Sequence, residues 1–529
     1  MGLLALKRFM SSQQRERQRR RRRLQARDGP ITSISLLRRE DDSSLLSGKR
    51  LRDSSGLNLP EDIWCNILPL MPMEDSARSA CVSHAFLHSW RHYPNLIFTQ
   101  ETLGLKQNGC GKGQVASTFA SRVGQILKNH SGTGVKILEL DMFGCRDLDI
   151  CHLNSWLESA ITPGIEKITL LLPSKYKEGG YIFPCSLLFS QRGSSLRYLR
   201  LTHCVFRPAP GLGSLRNLTT LHLGCVRISE GELGCLLSNS LALQQLELWY
   251  CSEIIRLKIP RVLERLSCLT VTSGGELQMV ESKAPNLSTF DFYGNLVQLS
   301  LGQSLQVKKL NMQCSNGSNF LCSSITKLPC VAPNVEDLTL SSNGETVNTP
   351  IAAAKFLHLK HLVIYFDGDF SPGYDYLSLV YYLDASPALE TFILGVQQDD
   401  MDFDSIFVDD LRRQMPENKH RSLKNLTILG FCSAKSMVQL ACYILENATS
   451  LECIILDTIF EQEDEEIVGR CSVTSARKPG DCFPTTSQVM LEAGRSLMAI
   501  ERYIMGKVPS IVKLDVRRPC SRCHILELM

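Results

Sequence analysis

The stretch LRYLRLTHCVF (residues 196–206) contains the pattern that decides the fold. It places leucines at its first, fourth and sixth positions, with a single polar residue between the last two. Because successive side chains of a β-strand point to opposite faces, these last two leucines share one face of a short strand and the polar side chains take the other. One such unit is too small to bury its apolar face, so the pattern predicts similar units beside it.

The same spacing recurs about thirteen times from residue 135 onward, at intervals of roughly 20 to 34 residues, which bracket the period of a leucine-rich repeat. The clear copies are LRYLRL (196–201), LTTLHL (218–223), LQQLEL (243–248), VEDLTL (335–340), LKHLVI (359–364) and LKNLTI (423–428). The weaker copies are VKILEL (135–140), IEKITL (165–170), LSCLTV (266–271), LSTFDF (287–292), VKKLNM (307–312), LETFIL (389–394) and LECIIL (451–456). Stacked in order, they give a parallel sheet with one continuous core. The expected fold class is α/β: a short helical domain followed by an irregular leucine-rich-repeat solenoid, a parallel-strand horseshoe.

Several copies carry a small polar residue just after the strand. The residues at or near this step are Cys204, Cys225, Cys251, Cys314, Cys432 and Asn343. Such a side chain can bond the backbone as the chain leaves the strand, which accounts for many of the 21 cysteines without metal or disulfides. The N-terminus lacks the order of charges and apolar residues typical of a secretory signal, so we expect reduced thiols inside the cell.

The remaining segments differ from the repeats in composition. Residues 1–56 are expected to be a disordered basic arm, in which RERQRRRRR (15–23) is typical of a nuclear import signal or, less so, of a nucleic-acid tail. We expect a helical domain at 57–98, a linker at 99–134, repeats at 135–460, an acidic and polar inserted loop at 461–486, and a C-terminal repeat cap at 487–529. The net charge of +4 is small and no apolar run is long enough for a bilayer. We therefore expect neither nucleic acid nor a membrane as the main partner, and a location in the nucleus, the cytoplasm or both.

The stretch LNLPEDIWCNILPLMPMEDSARSACVSHAFLHSW (57–90) predicts three short helices. Pro60 lies in the first turn of the first helix, where its missing N–H is harmless, and Pro72 ends that helix. Met73 begins the second helix, and Ser83 is positioned to cap a third that runs to Trp90. Three helices in about 40 residues lie at the lower limit of independent stability, so a partner is expected to cover part of their apolar surface.

The same stretch resembles the F-box. The matching positions are Leu59, Pro60, Asp62, Ile63, Ile67, Leu68, Pro72, Asp75, Arg78, Val82, Ser83 and Phe86. Pro69 departs from the pattern and is expected to shorten the first helix. An F-box followed by irregular repeats, with the tail AIERYIMGKVPSIVKLDVRRPCSRCH (499–524), resembles the plant F-box/leucine-rich-repeat proteins.

This resemblance implies a non-catalytic subunit that recognises the substrate of an SCF-type cullin–RING ubiquitin ligase. The F-box would bind a Skp-type adaptor and, through it, the cullin and RING subunits. The repeats would bind an unknown protein substrate. The residues expected to contact the adaptor are Leu59, Pro60, Ile63, Ile67, Leu68 and Val82.

Substrate contacts are expected at polar positions on the concave face of the repeats. These positions are Arg197, Tyr198, Arg200, His222, Glu247, Lys308, Lys309 and Lys360, and several are basic, which suggests an acidic or phosphorylated target. The preferred interpretation at this point is nevertheless that strand-exposed positions are simply polar.

Three alternatives for the function remain open in the sequence: a non-ligase interaction scaffold with a degenerate F-box, a nucleic-acid-binding protein that uses the arginine run, and a metal site at CSRCH (520–524). The last pattern lacks a second ligand pair at suitable spacing. No catalytic motif is present in the sequence. We therefore expect no catalytic residues, no cofactor and no metal site.

Overall fold

The computed structural model describes residues 61–105, 112–143, 145, 150–174, 180–189, 194–208, 215–302, 306–315, 319–346, 354–366, 373–397, 403–407, 418–460 and 486–520. A boundary between two units falls after Asn66, and the second unit, residues 67–529, contains the repeats. The predicted basic arm and nearly all of the predicted inserted loop lie outside the described residues.

A parallel sheet of 15 strands forms the main element of this second unit in the described part of the chain. Its strands, in spatial order, are β1 (Asn95–Phe98), β2 (Ile137–Asp141), β3 (Lys167–Leu171), β5 (Tyr198–Thr202), β7 (Thr220–Gly224), β8 (Gln245–Trp249), β10 (Cys268–Thr272), β12 (Thr289–Gly294), β14 (Lys309–Cys314), β15 (Asp337–Ser342), β16 (His361–Phe366), β17 (Thr391–Val396), β18 (Asn425–Leu429), β19 (Cys453–Asp457) and β20 (Lys513–Arg517). Every repeat copy named in the sequence forms one of these strands, so the predicted α/β repeat fold is confirmed.

The core lies on one face of this sheet because the repeat spacing places its apolar side chains there. In β5, for example, Leu199 and Leu201 are fully buried, whereas Tyr198 and Arg200, which alternate with them, are only partly buried. The same alternation recurs in the neighbouring strands, and the buried side chains join into one continuous cluster from Met73 to Val512. Burial of this shared face is what stabilises units that could not fold alone.

The segments that return from one strand to the next depend on the length of the repeat. The longer repeats have room for helices, and the described helices are α1 (Glu61–Ile67), α2 (Met73–Ala80), α3 (His84–Trp90), α4 (Lys112–Asn129), α5 (Leu153–Ala160), α6 (Ser186–Phe189), α7 (Glu230–Ser238), α8 (Phe320–Val331), α9 (Val380–Ala385), α10 (Lys435–Asn447) and α11 (Ser487–Ala499). Short 3₁₀ turns occupy Leu68–Leu70, Ile150–His152, Tyr376–Leu379 and Met505–Lys507, and a π-helical turn spans Ile500–Ile504. The first three helices precede the repeats.

The shortest repeats return through extended chain. Between the copies that begin at residues 243 and 307, three short strands, β9 (Arg256–Ile259), β11 (Met279–Ser282) and β13 (Gln298–Ser300), form a second parallel sheet. Two further strands, β4 (Tyr181–Ile182) and β6 (Cys204–Val205), pair with each other. An extended chain covers about 3.3 Å per residue against 1.5 Å for a helix, so fewer residues close the same distance.

The region predicted as a linker differs from the prediction. Strand β1, within the predicted helical domain, pairs in parallel with β2 and is the first strand of the main sheet. Helix α4 then occupies much of residues 99–134, and its Phe119 and Val123 are fully buried in the repeat core. The signal for β1 was present in the sequence, since Tyr93, Leu96 and Phe98 have the spacing of a repeat copy.

The cysteines beside the strands are mostly buried thiols. The Cys251 thiol donates to the carbonyl oxygen of Leu223 at 3.6 Å, as expected for a side chain that bonds the backbone after a strand. Burial raises the pKa of Cys251 to about 12 and that of Cys432 to about 12. Burial also raises the pKa of Cys204, so these groups stay protonated at neutral pH.

Candidate functional site

The helical segment before the repeats is joined directly to the sheet. Its second helix, α2, begins at Met73, whose side chain is buried in the repeat core and accepts a hydrogen bond from the Ile97 N–H of β1 at 3.4 Å. The Tyr93 hydroxyl donates to the carbonyl oxygen of Met71 at 2.8 Å. The Nε2 atom of His130 lies 2.9 Å from the carbonyl oxygen of Tyr93. Residues 71–98 are therefore held by the same packing that holds the first repeats.

Local sequence explains the helices of this segment. Helix α1 ends at Ile67 and is followed by a 3₁₀ turn over Leu68–Leu70. Pro69 lies near the start of this turn, where its missing N–H is harmless. The expected shortening of the first helix is therefore confirmed. Glu74 and Asp75 lie in the first turn of α2, where negative charge suits the helix dipole. Both carboxylates also pair with Arg78 one turn later.

Two of the six residues expected to contact the adaptor, Leu59 and Pro60, lie outside the described residues. Ile63 is 40% exposed and Val82 is 80% exposed. Leu68 differs from the prediction, because its side chain is only 2% exposed and therefore does not face solvent.

The remaining predicted adaptor residue, Ile67, is partly buried. Two positions later than the buried Leu68, the Leu70 side chain is 83% exposed. Leu70 is not among the six residues expected to contact the adaptor. The structure thus leaves large aliphatic side chains at Leu70 and Val82 in contact with solvent.

The open face of the main sheet, opposite the core, carries side chains in rows that cross the strands. The parallel register places the central residue of each strand beside that of the next, and this central row runs Glu139, Thr169, Arg200, His222, Glu247, Thr270, Asp291, Asn311, Thr339, Val363, Ile393, Thr427, Ile455 and Asp515. The row is charged or polar through β15 and mainly aliphatic from β16 to β19. The open face therefore offers two chemically different halves.

Four of the predicted substrate residues come together in the first half. The His222 Nδ1 contacts a carboxylate oxygen of Glu247, and the ring of Tyr198 lies 5.2 Å from the His222 ring, centroid to centroid. The Lys167 ammonium lies 5.2 Å from the centre of the Tyr198 ring. Burial by itself would raise the pKa of Glu247, but the hydrogen bond to His222 and the nearby charges, including Arg200, bring it below its ordinary value.

Arg200 lies against an aromatic side chain on the same face. Its guanidinium carbon lies 6.0 Å from the centre of the Trp249 ring, within the range of a cation–π contact. The strand between them contributes Gly224, in register with Trp249, and a Cβ at this position would overlap the indole. Glycine at 224 thus lets the indole lie over β7 and reach the arginine.

The predicted lysines lie in a different place from that cluster. Lys308 and Lys360 immediately precede their strands, at the edge of the sheet, and both pair with Glu336 at 2.9 Å. The hydrogen bond to Lys360, followed by that to Lys308, lowers the pKa of Glu336 to about 2. Lys309 pairs with Asp337 at 3.5 Å.

These pairs extend along the edge of the sheet. Lys424 pairs with Glu390 at 2.7 Å, so the residue before each strand alternates in charge from Lys308 to Glu452. The edge lysines are thus already matched by carboxylates of the chain. Arg197, which also precedes its strand, is exposed and apart from this series.

The second half of the open face is apolar. Val363, Ile393 and Ile455 of the central row are each partly exposed. The rings of Tyr365 and Phe460 lie beside them in an edge-to-face contact, with 6.1 Å between their centroids. This aliphatic and aromatic strip was not foreseen, although the repeat alignment places its residues at equivalent positions.

Two further features considered in the sequence are the CSRCH motif and membrane-spanning segments. Cys520 is the last described residue, so Cys523 and His524 of the CSRCH motif lie outside the described part of the chain. None of the helices that the structure describes combines the length and apolarity needed to cross a bilayer.

Comparison with known proteins agrees with the fold. Residues 126–521 match the family described as At1g61320/AtMIF1, LRR domain. Among curated proteins, the F-box/LRR-repeat protein At3g58940 of Arabidopsis thaliana is 25% identical over 197 residues, 36% of this chain and 31% of that protein. The F-box protein At5g03100 of the same plant is 23% identical over 210 residues, 39% of this chain and 59% of that protein. The matched region is less than two thirds of either relative. Because the family match covers most of the chain, the chain belongs to the family described as At1g61320/AtMIF1, LRR domain, and the printed names of both relatives agree with the resemblance to plant F-box/leucine-rich-repeat proteins.

Proposed function

We propose that this chain is the substrate-recognition subunit of an SCF-type cullin–RING ubiquitin ligase. In this proposal the helical segment binds a Skp-type adaptor and, through it, the cullin and RING subunits. The open face of the sheet binds the protein to be ubiquitinated. The chain itself makes and breaks no covalent bond.

The observation that carries the adaptor half of the proposal is the exposure of two large aliphatic side chains in a segment with F-box spacing. Leu70 and Val82 are 83% and 80% exposed, although the segment otherwise packs into the repeat core. Apolar anchors on short helices are a common means of partner recognition, and their burial is the main source of affinity. The printed names of both relatives above include the F-box, which supports the same conclusion.

The substrate half of the proposal depends on the open face. A scaffold that binds two proteins accelerates transfer between them by holding the reacting groups close together. The continuous packing from α2 through β1 into β2 suits this task, because it leaves no described break between the helical segment and the first repeats. The two halves of the central row then give the substrate both polar and apolar contacts.

The test is co-purification of the full chain with adaptor and cullin from a plant extract in which the proteasome is blocked. We expect cullin in the complex with the wild-type chain and its loss after Val82→Glu, which would place a charge in the proposed apolar interface. Ile511→Glu is the matched control, since Ile511 is 82% exposed on the C-terminal cap. Cullin retained equally by both variants, or absent from the wild type, would favour the alternative of a non-ligase scaffold.

Deletion of residues 57–98 is a poorer test. It would remove β1, whose Leu96 and Phe98 are fully buried, and would expose the end of the sheet.

We propose that the protein is located in the nucleus, the cytoplasm or both, because of the arginine run at 15–23. Imaging of a fluorescent fusion with and without that run tests this location.

A further inference from the structure

We propose that Arg200 is the binding point for a carboxylate side chain, Asp or Glu, of the protein held on the open face. This inference rests on the proposed function, in which that face binds a protein. It adds the chemical class of one group that the bound protein must present, and it selects one of the predicted basic residues over the others.

The guanidinium has a preformed support. Trp249 lies across β7 because Gly224 has no side chain, and the Arg200 guanidinium carbon is 6.0 Å from the centre of its ring. Contact with an aromatic face restricts a long side chain to few rotamers. A ligand that binds this arginine therefore loses less entropy than one that must order a free side chain.

The same guanidinium retains hydrogen-bonding capacity. Its Nε is buried without a hydrogen-bond partner in the part of the chain that the structure describes. The carboxylate of Glu247, two strands away in the central row, contacts His222 instead. Lys167, the next cation, is already paired with Glu139 at 3.3 Å. In the described part of the chain, Lys167 is thus paired with a carboxylate, whereas the Arg200 charge lowers the pKa of Glu247 without a described hydrogen bond between the two side chains.

Charge and shape favour a carboxylate over a phosphate. A planar carboxylate matches the fork of a guanidinium with two parallel hydrogen bonds. Glu247 and Asp291 lie in the same row as Arg200, two and four strands away from it. A dianionic phosphate would meet more repulsion from these groups than a singly charged carboxylate would.

The edge lysines illustrate the contrast. Lys308 and Lys360 share Glu336, so an incoming anion would have to displace a carboxylate already in place. At Arg200 no such displacement is needed among the described residues.

The experiment uses the full chain and an immobilised array of random 12-residue peptides, each synthesised with Glu, Gln or phosphoserine at its central position. For the peptides that bind, we expect the Glu version to bind at least about tenfold more tightly than the Gln version, as for a charge-assisted hydrogen bond. Arg200→Gln should abolish this preference, and Arg200→Lys should reduce it because lysine cannot form the fork. Arg256→Gln, which changes a 60% exposed arginine on the small sheet, is the matched control.

A second variant tests the support rather than the charge. Gly224→Ala should weaken the Glu preference with Arg200 intact, because the added Cβ displaces the indole. Equal binding of Glu and Gln versions, or no Glu-dependent peptide at all, would overturn the inference. A preference for phosphoserine over Glu would overturn the choice of carboxylate. Adaptor binding is measured in parallel. If the adaptor does not bind but the Glu preference depends on Arg200, the ligase proposal alone is refuted. If the adaptor binds but the Glu preference does not depend on Arg200, this inference alone is refuted.

Discussion

Truncation of the two exposed aliphatic residues of the helical segment should weaken adaptor binding by an amount that follows from their exposure. Burying a whole valine or leucine side chain contributes about 1.5–3 kcal/mol. Leu70 and Val82 are 83% and 80% exposed in the free chain, so most of that contribution remains to be gained on binding. Each of Leu70→Ala and Val82→Ala should therefore raise the Kd by roughly tenfold, and the double variant by roughly 100-fold if the two effects add.

The assay is isothermal titration calorimetry of a purified Skp-type adaptor into the purified full chain. Ile511→Ala, at 82% exposure, should leave the Kd unchanged. The variants at Leu70, Val82 and Ile511 should keep the wild-type melting temperature, because these exposed side chains do not contribute to the core. Leu68→Ala offers the opposite pattern, since Leu68 is 2% exposed: it should lower the melting temperature. If both single variants at Leu70 and Val82 bind within twofold of wild type, the adaptor surface lies elsewhere.

Three further predictions concern the repeat domain. Gly430→Ala should destabilise the chain more than Gly134→Ala in urea unfolding: both have positive φ, which costs about 1–2 kcal/mol for alanine, but only at Gly430 would the Cβ overlap the Val396 carbonyl oxygen. Burial raises the pKa of Glu345, so its ionisation lowers stability as the pH rises from the ordinary glutamate range through the raised folded pKa. Glu345→Gln should consequently gain stability relative to wild type as the pH rises above the ordinary glutamate range in the same assay, and an unchanged difference would contradict this account. Cys432 is fully buried with a pKa raised to about 12, so mass spectrometry after alkylation at pH 8 should find it unmodified until the chain is unfolded.

Much of the repeat fold follows from the sequence alone, because the spacing of apolar residues determines which side chains face the core. LRYLRL predicts the buried Leu199 and Leu201 of β5, and the other copies work in the same way. The sequence also contained the signal for β1, whose Tyr93, Leu96 and Phe98 are at most 3% exposed. The neighbouring helices obscure this signal, because they indicate a separate helical domain there.

Other parts of the fold depend on distances that a single repeat does not contain. Strands β9, β11 and β13 form where successive repeats are short, and each has too few residues to show a pattern of its own. Their formation depends on the neighbouring repeats also being short, since each strand completes the hydrogen bonds of the next.

The open face shows the same division between local and non-local causes. Alignment of the repeat copies places Arg200, His222 and Glu247 at one position of the unit, so their adjacency follows from the parallel register. The contact of Arg200 with Trp249 does not follow from that alignment. It requires the intervening strand to have glycine at 224, where almost any other residue would hold the indole away.

The lysines give the converse case. Lys308 and Lys360 each follow the first apolar residue of their repeat copy and were expected on the open face, yet they stand one residue before their strands, at the edge of the sheet. At this edge the two lysines form ion pairs with Glu336 of the intervening repeat rather than with a ligand.

The way the helical segment joins the sheet bears directly on the proposed function. A flexible linker at residues 99–134 would let a bound substrate sample many positions relative to the adaptor surface, and its effective concentration near that surface would fall as the linker lengthened. Instead, Met73 packs in the repeat core and β1 pairs along its whole length with β2. The position of the first repeats relative to α2 and α3 is therefore set by packing, and packing in a close-packed core tolerates little displacement. Under the proposed function, selection of the lysine to be modified would then depend on how the first repeats pack against α2 and β1.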